Sequence, residues 1–191
     1  EDVNGDGIGD IIDRQSRDHP QAATAVRVRS GYFGPLLWAR DFTSPTTISH
    51  RVTGAVSLGD INGDGIPDVI ASRSGGGTLK LECFSGATGT SLWVHSPSLP
   101  SWVDRAVAVG DIDSDAKGDF AVMPFPSGFV GAQIYLFSGA SGTFLRTLTP
   151  PSPNNVNSIL GLGDLDGDGA GDLAIGGGRQ WVPLTVPVAG R

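Results

Sequence analysis

Short runs in which apolar residues alternate with polar or small ones recur along the chain: Val26 and Val28, then Leu79, Leu81 and Cys83, then Ile134 and Leu136. Period two is the periodicity of a strand and places each set on one buried face. Cys83 shares the column of Val28 and Leu136, so it is expected to be a small core residue and not a reactive thiol. Each run leads into a Gly-bounded turn that starts Ser-Gly (Ser30-Gly31, Ser85-Gly86, Ser138-Gly139) and continues into another apolar stretch, which predicts a hairpin. Three further runs, 55–58, 106–109 and 159–162, precede polar, aspartate-rich loops, and strand formers such as Val69-Ile70 and Phe120-Ala121-Val122 follow them. One unit therefore reads strand, acidic loop, strand, Gly-rich turn, strand, Ser-Gly turn, strand. Four antiparallel strands in about fifty residues form one blade of a β-propeller.

The units divide the chain into a partial blade over 1–49, blades over 50–102 and 103–156, and a partial blade over 157–191. The first lacks an opening strand and the last ends after its third. The expected fold is all-β, an incomplete propeller or one completed by neighbouring subunits, because open sheet edges attract other strands. The chain also starts inside an acidic loop, as a mature fragment or a piece of a longer protein would. Ser/Thr/Pro-rich linkers at 43–49, 96–101 and 147–153 are candidate sites for O-linked sugars.

The acidic loops carry the chemistry. In Asp60-Ile61-Asn62-Gly63-Asp64-Gly65-Ile66-Pro67-Asp68, side-chain oxygens stand at positions 1, 3, 5 and 9, a glycine at position 6 permits a sharp bend, and Ile66 at position 7 offers its backbone carbonyl. The other copies are Asp2, Asn4, Asp6, Ile8 and Asp10; Asp111, Asp113, Asp115, Lys117 and Asp119; and Asp164, Asp166, Asp168, Ala170 and Asp172. Oxygen ligands without His or Cys select a hard cation, and a flexible set of six or seven suits Ca²⁺ better than Mg²⁺. An EF-hand would need an acidic residue at position 12 and flanking helices. Ala71, Val122 and Ile175 stand there in three copies, so the loops are expected to join strands. In the third loop Ala116 replaces the position-6 glycine and Lys117 adds a positive charge, which makes it the expected weakest of four calcium sites.

Composition narrows the remaining classes. The 29 glycines and 13 prolines fit many tight turns, and 39% apolar residues argue against disorder. Of the 20 acidic residues, 14 sit in the four loops, so the net charge of −7 is local. Four Ca²⁺ would bring it to about +1. The sequence shows no Lys/Arg cluster for nucleic acid and no run of about 20 apolar residues for membrane insertion. The histidines His19, His50 and His95 fall in different phases of the repeat, and no nucleophile elbow, phosphate loop or zinc spacing is present, so no enzyme is expected. Trp38 and Trp93 share one register position, which Arg146 takes in the third unit. They are expected to pack, with a sugar-stacking surface as the alternative, while Trp102 and Trp181 are candidates for a blade junction or an assembly contact.

With its partners after Gly110 and Gly163, the 59–68 segment resembles the calcium loop of FG-GAP/VCBS repeats, the blades of integrin-α-like propellers and of many bacterial surface proteins. Val52-Thr53 and Val103-Asp104 stand where integrins carry Phe-Gly, and Met123-Pro124 and Gly176-Gly177 stand where they carry Gly-Ala-Pro, which points to the bacterial type. The resemblance implies a propeller with one Ca²⁺ per blade in an extracellular or cell-surface setting. Low-affinity aspartate loops suit the millimolar calcium found there. The reading is a calcium-stabilised, non-catalytic module with a structural, adhesive or assembly role, self-associating through sheet edges into a filament or oligomer. A propeller head that binds a glycan or protein ligand, and an accessory propeller of a secreted enzyme, are the alternatives.

Overall fold

The computed structural model describes residues 2–15, 25–31, 34–42, 51–75, 78–99, 103–124, 133–150, 156–177 and 180–184. The described elements are all strands, arranged in four antiparallel sheets that follow one another along the chain. The first holds β1 (Ile11–Gln15), β2 (Ala25–Arg29) and β3 (Leu36–Asp41). The second holds β4 (Arg51–Gly59), β5 (Asp68–Gly75), β6 (Thr78–Phe84) and β7 (Ser91–His95). The third holds β8 (Val103–Gly110), β9 (Asp119–Pro124), β10 (Ile134–Phe137) and β11 (Phe144–Leu148). The fourth holds β12 (Val156–Gly163), β13 (Asp172–Gly177) and β14 (Gln180–Leu184). Strands are adjacent in sequence order within every sheet, and β1, β4, β8 and β12 stand side by side from sheet to sheet. This is a β-propeller-like arrangement.

The core lies between the sheets. Val26, Val28 and Trp38 of the first sheet meet Val52, Val69, Ala71 and Phe84 of the second. Leu58, Ile70, Leu79, Leu81 and Cys83 of the second meet Val103, Phe120, Val122 and Phe137 of the third. Ala121, Met123, Ile134 and Leu136 then meet Val156, Ile159, Leu173 and Ile175. Burial differs from the one-sided alternation expected from sequence. Neighbours such as Val69, Ile70 and Ala71 are all fully buried, because the middle sheets have a sheet against each face and both side-chain columns are covered. Cys83 is buried as expected, and desolvation pushes its thiol up to about 12, so it does not act as a thiolate near neutrality.

Two local features shape the ends of the strands. The Ser-Gly turns close as hairpins, with Ser85 N–H donating to Thr90 O at 2.8 Å and Gly89 N–H to Ser85 O at 2.6 Å, and with the same pair of bonds at Ser138. The first strands β4, β8 and β12 each carry a register shift near either end. The shift at the far end precedes Gly59, Gly110 or Gly163, all with positive φ, and turns the chain out of the sheet into the acidic loop. Of the linkers, 43–49, 100–101 and 151–153 lie outside the described residues, as do Trp102, His19, His50 and the side chain of Trp181.

Candidate metal centres

Each acidic loop joins the first and second strands of a sheet, or in the first sheet leads into β1, and its side chains are turned inward by the loop's own backbone. Loop two sets the pattern. Asp60 Oδ1 accepts from Gly63 N–H at 2.6 Å and Asp64 N–H at 3.1 Å, and its Oδ2 accepts from Gly65 N–H at 2.8 Å. Asn62 Oδ1 accepts from Asp64 N–H at 2.8 Å, and Asp64 Oδ1 accepts from Ile66 N–H at 2.8 Å. Loops one, three and four repeat the position-1 and position-5 bonds: Asp2 with Gly7, Asp111 with Ala116 and Asp164 with Gly169; Asp6 with Ile8, Asp115 with Lys117 and Asp168 with Ala170. Wrapping N–H groups around a carboxylate requires left-handed backbone at positions 4 and 6, where Gly5 and Gly7, Gly63 and Gly65, and Gly167 and Gly169 have φ between 75° and 90°.

The position-9 aspartate has a second task. Asp68, wholly buried, accepts from Ile61 N–H at 2.9 Å through Oδ2 and from Gly86 N–H at 2.9 Å through Oδ1. Asp119 makes the same bonds to Ile112 and Gly139, and Asp10 to Val3 and Gly31. Asp172 accepts from Leu165 N–H at 2.8 Å. One carboxylate thus staples its acidic loop to the following Ser-Gly hairpin, which is why Ser-Gly and the acidic loop recur together in the sequence.

The electrostatics divide by depth. Backbone N–H bonds, led by Gly7 at Asp2, Ile8 at Asp6 and Gly65 at Asp60, hold these exposed carboxyls below the usual range. Desolvation raises Asp68 and Asp113, and raises Asp119 to about 6. Carboxylate oxygens of Asp111, Asp113 and Asp115 lie within 4.8 Å of one another, as do those of Asp164, Asp166 and Asp172. In loops one and two, position 3 is an asparagine whose amide donates to the position-5 carboxylate, Asn4 to Asp6 at 2.9 Å and Asn62 to Asp64 at 3.0 Å. The residues fit a hard divalent cation: the side-chain donors are oxygens, three carboxylates converge in each of loops three and four, and a buried carboxylate gains a counter-charge from the ion.

Loop three carries a non-glycine residue at two left-handed positions, where sequence reasoning marked only Ala116. Ala116 at position 6 has φ 65°, and Ser114 at position 4 has φ 67°; they are the only described non-glycine residues with positive φ. The glycines at position 4 of the other three loops were the signal for Ser114. Lys117 also acts elsewhere than expected. Its Nζ donates to the backbone carbonyl of Asp60 at 3.0 Å, so its charge falls on loop two and helps to lower the Asp60 carboxyl. Ile8 is exposed, Ile66 is half-buried and Ala170 is buried. Trp38 and Trp93 pack as expected, and Trp38, only 8% exposed, presents no free stacking surface.

Residues 52–94 match the FG-GAP repeat. The matched stretch spans the second sheet and its acidic loop. No curated protein matches the chain. Among solved structures, the chain is similar to a rhamnogalacturonan lyase of Bacillus licheniformis, at 18% identity and a TM-score of 0.60, over 90% of this chain and 38% of that one. It is similar also to the rhamnogalacturonan lyase YesW, at 16% identity and a TM-score of 0.57 over 92% of this chain and 38% of that one. The exotype rhamnogalacturonan lyase YesX gives 15% and 0.57, over 90% and 37%. The chain spans less than two-fifths of each structure's length, and at these identities the likeness is one of fold.

Proposed function

We propose that the chain is a calcium-stabilised, non-catalytic propeller module of an extracellular or cell-surface protein, with one Ca²⁺ in each of four loops and a structural, adhesive or assembly role. The observation that carries this reading is the buried position-9 carboxylate bonded at once to its loop and to the next hairpin. An ion among these carboxylates cancels their repulsion and fixes two turns of each sheet, so binding free energy becomes folding free energy. Neither nucleic acid nor membrane insertion enters the reading, and self-association through sheet edges is its assembly form. The match to the FG-GAP repeat favours the extracellular setting. Thermal melts in millimolar calcium and in EDTA, with calorimetric titration of the stripped chain, test it. About four sites and a large loss of melting temperature in EDTA are expected, and an unchanged melt sinks the proposal.

A second reading, a propeller section of a secreted polysaccharide-degrading enzyme, is favoured by the fold likeness to rhamnogalacturonan lyases over 90% or more of this chain. In that case the chain alone should bind rhamnogalacturonan in calcium without cleaving it. Absence of binding counts against this version.

A further inference from the structure

Gly139 and Gly86 are each held from two sides. The Gly139 N–H donates to Oδ1 of the position-9 aspartate Asp119 at 2.8 Å, and its carbonyl accepts the indole N–H of Trp93, on β7 of the preceding sheet, at 2.9 Å. Gly86 repeats the arrangement one sheet earlier, with its N–H on Asp68 Oδ1 at 2.9 Å and its carbonyl accepting from Trp38 of β3 at 2.6 Å. Each glycine is also packed hard against its own acidic loop. A Cβ on Gly139 would stand 1.8 Å from the carbonyl oxygen of Gly118, and one on Gly86 would stand 1.9 Å from that of Pro67, both at position 8 of the loop. Trp93 has a further hold on the same aspartate. Its ring stacks on Phe120, the residue after Asp119, with centroids 6.2 Å apart and planes 18° from parallel.

We infer that Trp93 and Trp38 are positioning residues for the calcium sites of the sheet that follows each of them, Trp93 for loop three and Trp38 for loop two. The inference rests on the calcium reading above. Asp119 and Asp68 are wholly buried, and each has one oxygen on its loop and the other on the hairpin glycine. The glycine therefore sets the direction in which the carboxylate presents its remaining lone pairs, and the indole sets the glycine. Groups that orient a metal ligand contribute about tenfold to a hundredfold in affinity, and one bond further out the effect should be smaller, about threefold to tenfold. Linkage is reciprocal, so an ion in loop three tightens the Trp93 bond and fastens sheet three to sheet two. The signature is displacement by one sheet. A tryptophan that only stabilised the fold would weaken every site alike, or the site of its own sheet first, whereas Trp93 belongs to sheet two and acts on loop three. Arg146 stands in this column in sheet three, so loop four has no indole from it and is the internal control.

The test titrates the stripped, full 191-residue chain with Ca²⁺ and follows loops two, three and four separately through the backbone N–H resonances of Gly65, Ala116 and Gly169. The unaltered chain is compared with Trp93→Phe and Trp38→Phe. Trp93→Phe is expected to lower the calcium affinity of loop three by about threefold to tenfold and to leave loops two and four unchanged. Trp38→Phe should lower that of loop two by a similar factor and spare loops three and four. In the unaltered chain, calcium should slow hydrogen exchange of the Trp93 indole N–H by the same factor, because the coupling is mutual. That measurement needs no substitution, and it decides the matter if a variant does not fold. Unchanged affinities, equal losses at all loops, a larger loss in the tryptophan's own sheet, or indole exchange indifferent to calcium overturns the inference. Any of these with calcium still bound leaves the calcium reading standing, while a chain that binds no calcium sinks both.

Discussion

The indole N–H of Trp93 donates to the carbonyl of Gly139 in the next sheet, 46 residues along, at 2.9 Å. The ring covers Gly142 of the same hairpin, where an added Cβ would lie 2.5 Å from it. Trp38 repeats this one sheet earlier, bonded to the Gly86 carbonyl at 2.6 Å and lying on Gly89. Each tryptophan is a latch from the last strand of one sheet to the Ser-Gly hairpin of the next. Trp93→Phe keeps an aromatic ring but leaves the Gly139 carbonyl without its donor, and should cost about 1–2 kcal/mol. Gly142→Ala both crowds the ring and places a side chain at positive φ, and should cost about 2–4 kcal/mol. Urea unfolding at fixed calcium measures both. Equal stability of Trp93→Phe and the unaltered chain would show that the hydrogen bond contributes nothing.

The strand plan and the four loops were legible because they depend on local signals: period two, Gly-bounded turns, and carboxylates at fixed spacing. The shared register of Trp38 and Trp93 was legible for the same reason. Their acceptors were not, because Gly86 and Gly139 belong to the following unit and no local pattern states how two units dock. The double burial of β5 and β9 was hidden likewise, since alternation within a strand is silent on whether one face or both are covered. Ser114 could have been found from Gly5, Gly63 and Gly167, but a serine in a polar loop attracts no notice until its φ is known.

Ser114 and Ala116 make loop three the place where relief of strain should be measurable. Left-handed backbone costs a residue with a Cβ about 1–2 kcal/mol, and glycine returns part of this through unfolded-chain entropy, about 0.4–1 kcal/mol. Ser114→Gly with Ala116→Gly should therefore stabilise the chain by about 1 kcal/mol or slightly more. The same changes to alanine at Gly63 and Gly65 should destabilise it. In a site-resolved calcium titration, loop three of the unaltered chain should be the weakest site. A double variant no more stable than its parent would mean the loop relaxes away from the left-handed region at no cost.

Asp119 gives the metal-free chain a distinctive pH dependence. Desolvation raises its carboxyl from the ordinary value of 3.8 to about 6 in the folded state. Between these values the folded chain holds the proton that the unfolded chain has lost, so stability in EDTA should fall as pH rises from about 4 to about 6, then level off. Asp68 and Asp113, also raised, act in the same sense. Asp2, Asp6 and Asp60 are lowered, so the stability they contribute is lost only as pH falls below 3.8. Asp119→Asn should flatten the slope in EDTA, and millimolar calcium should reverse it by favouring the ionised form. A metal-free chain that gains stability steadily from pH 4 to 7 would contradict the raised Asp119.

Lys117 links two neighbouring loops, and the sign of its effect follows from comparing two terms. Its Nζ bonds the Asp60 carbonyl at 3.0 Å, which anchors loop two and is worth about 0.5–1.5 kcal/mol as a net hydrogen bond. The same ammonium lies well within a Debye length of any ion held by Asp60, and a single and a double positive charge about 7 Å apart repel by about 1 kcal/mol even in water. The anchor acts on loop two whether or not an ion is present, because Asp60, Asn62 and Asp64 are already folded inward by backbone bonds. It therefore changes stability more than affinity, while the repulsion acts on the ion alone. Lys117→Met should lower the melting temperature slightly in EDTA yet raise the calcium affinity of loop two by about threefold to fivefold at low ionic strength. In 1 M salt, where screening shortens to about 3 Å, the affinity gain should vanish while the stability loss remains. A loss of loop-two affinity in Lys117→Met at low salt would mean that anchoring outweighs repulsion, and that the bond to Asp60 helps to form the site.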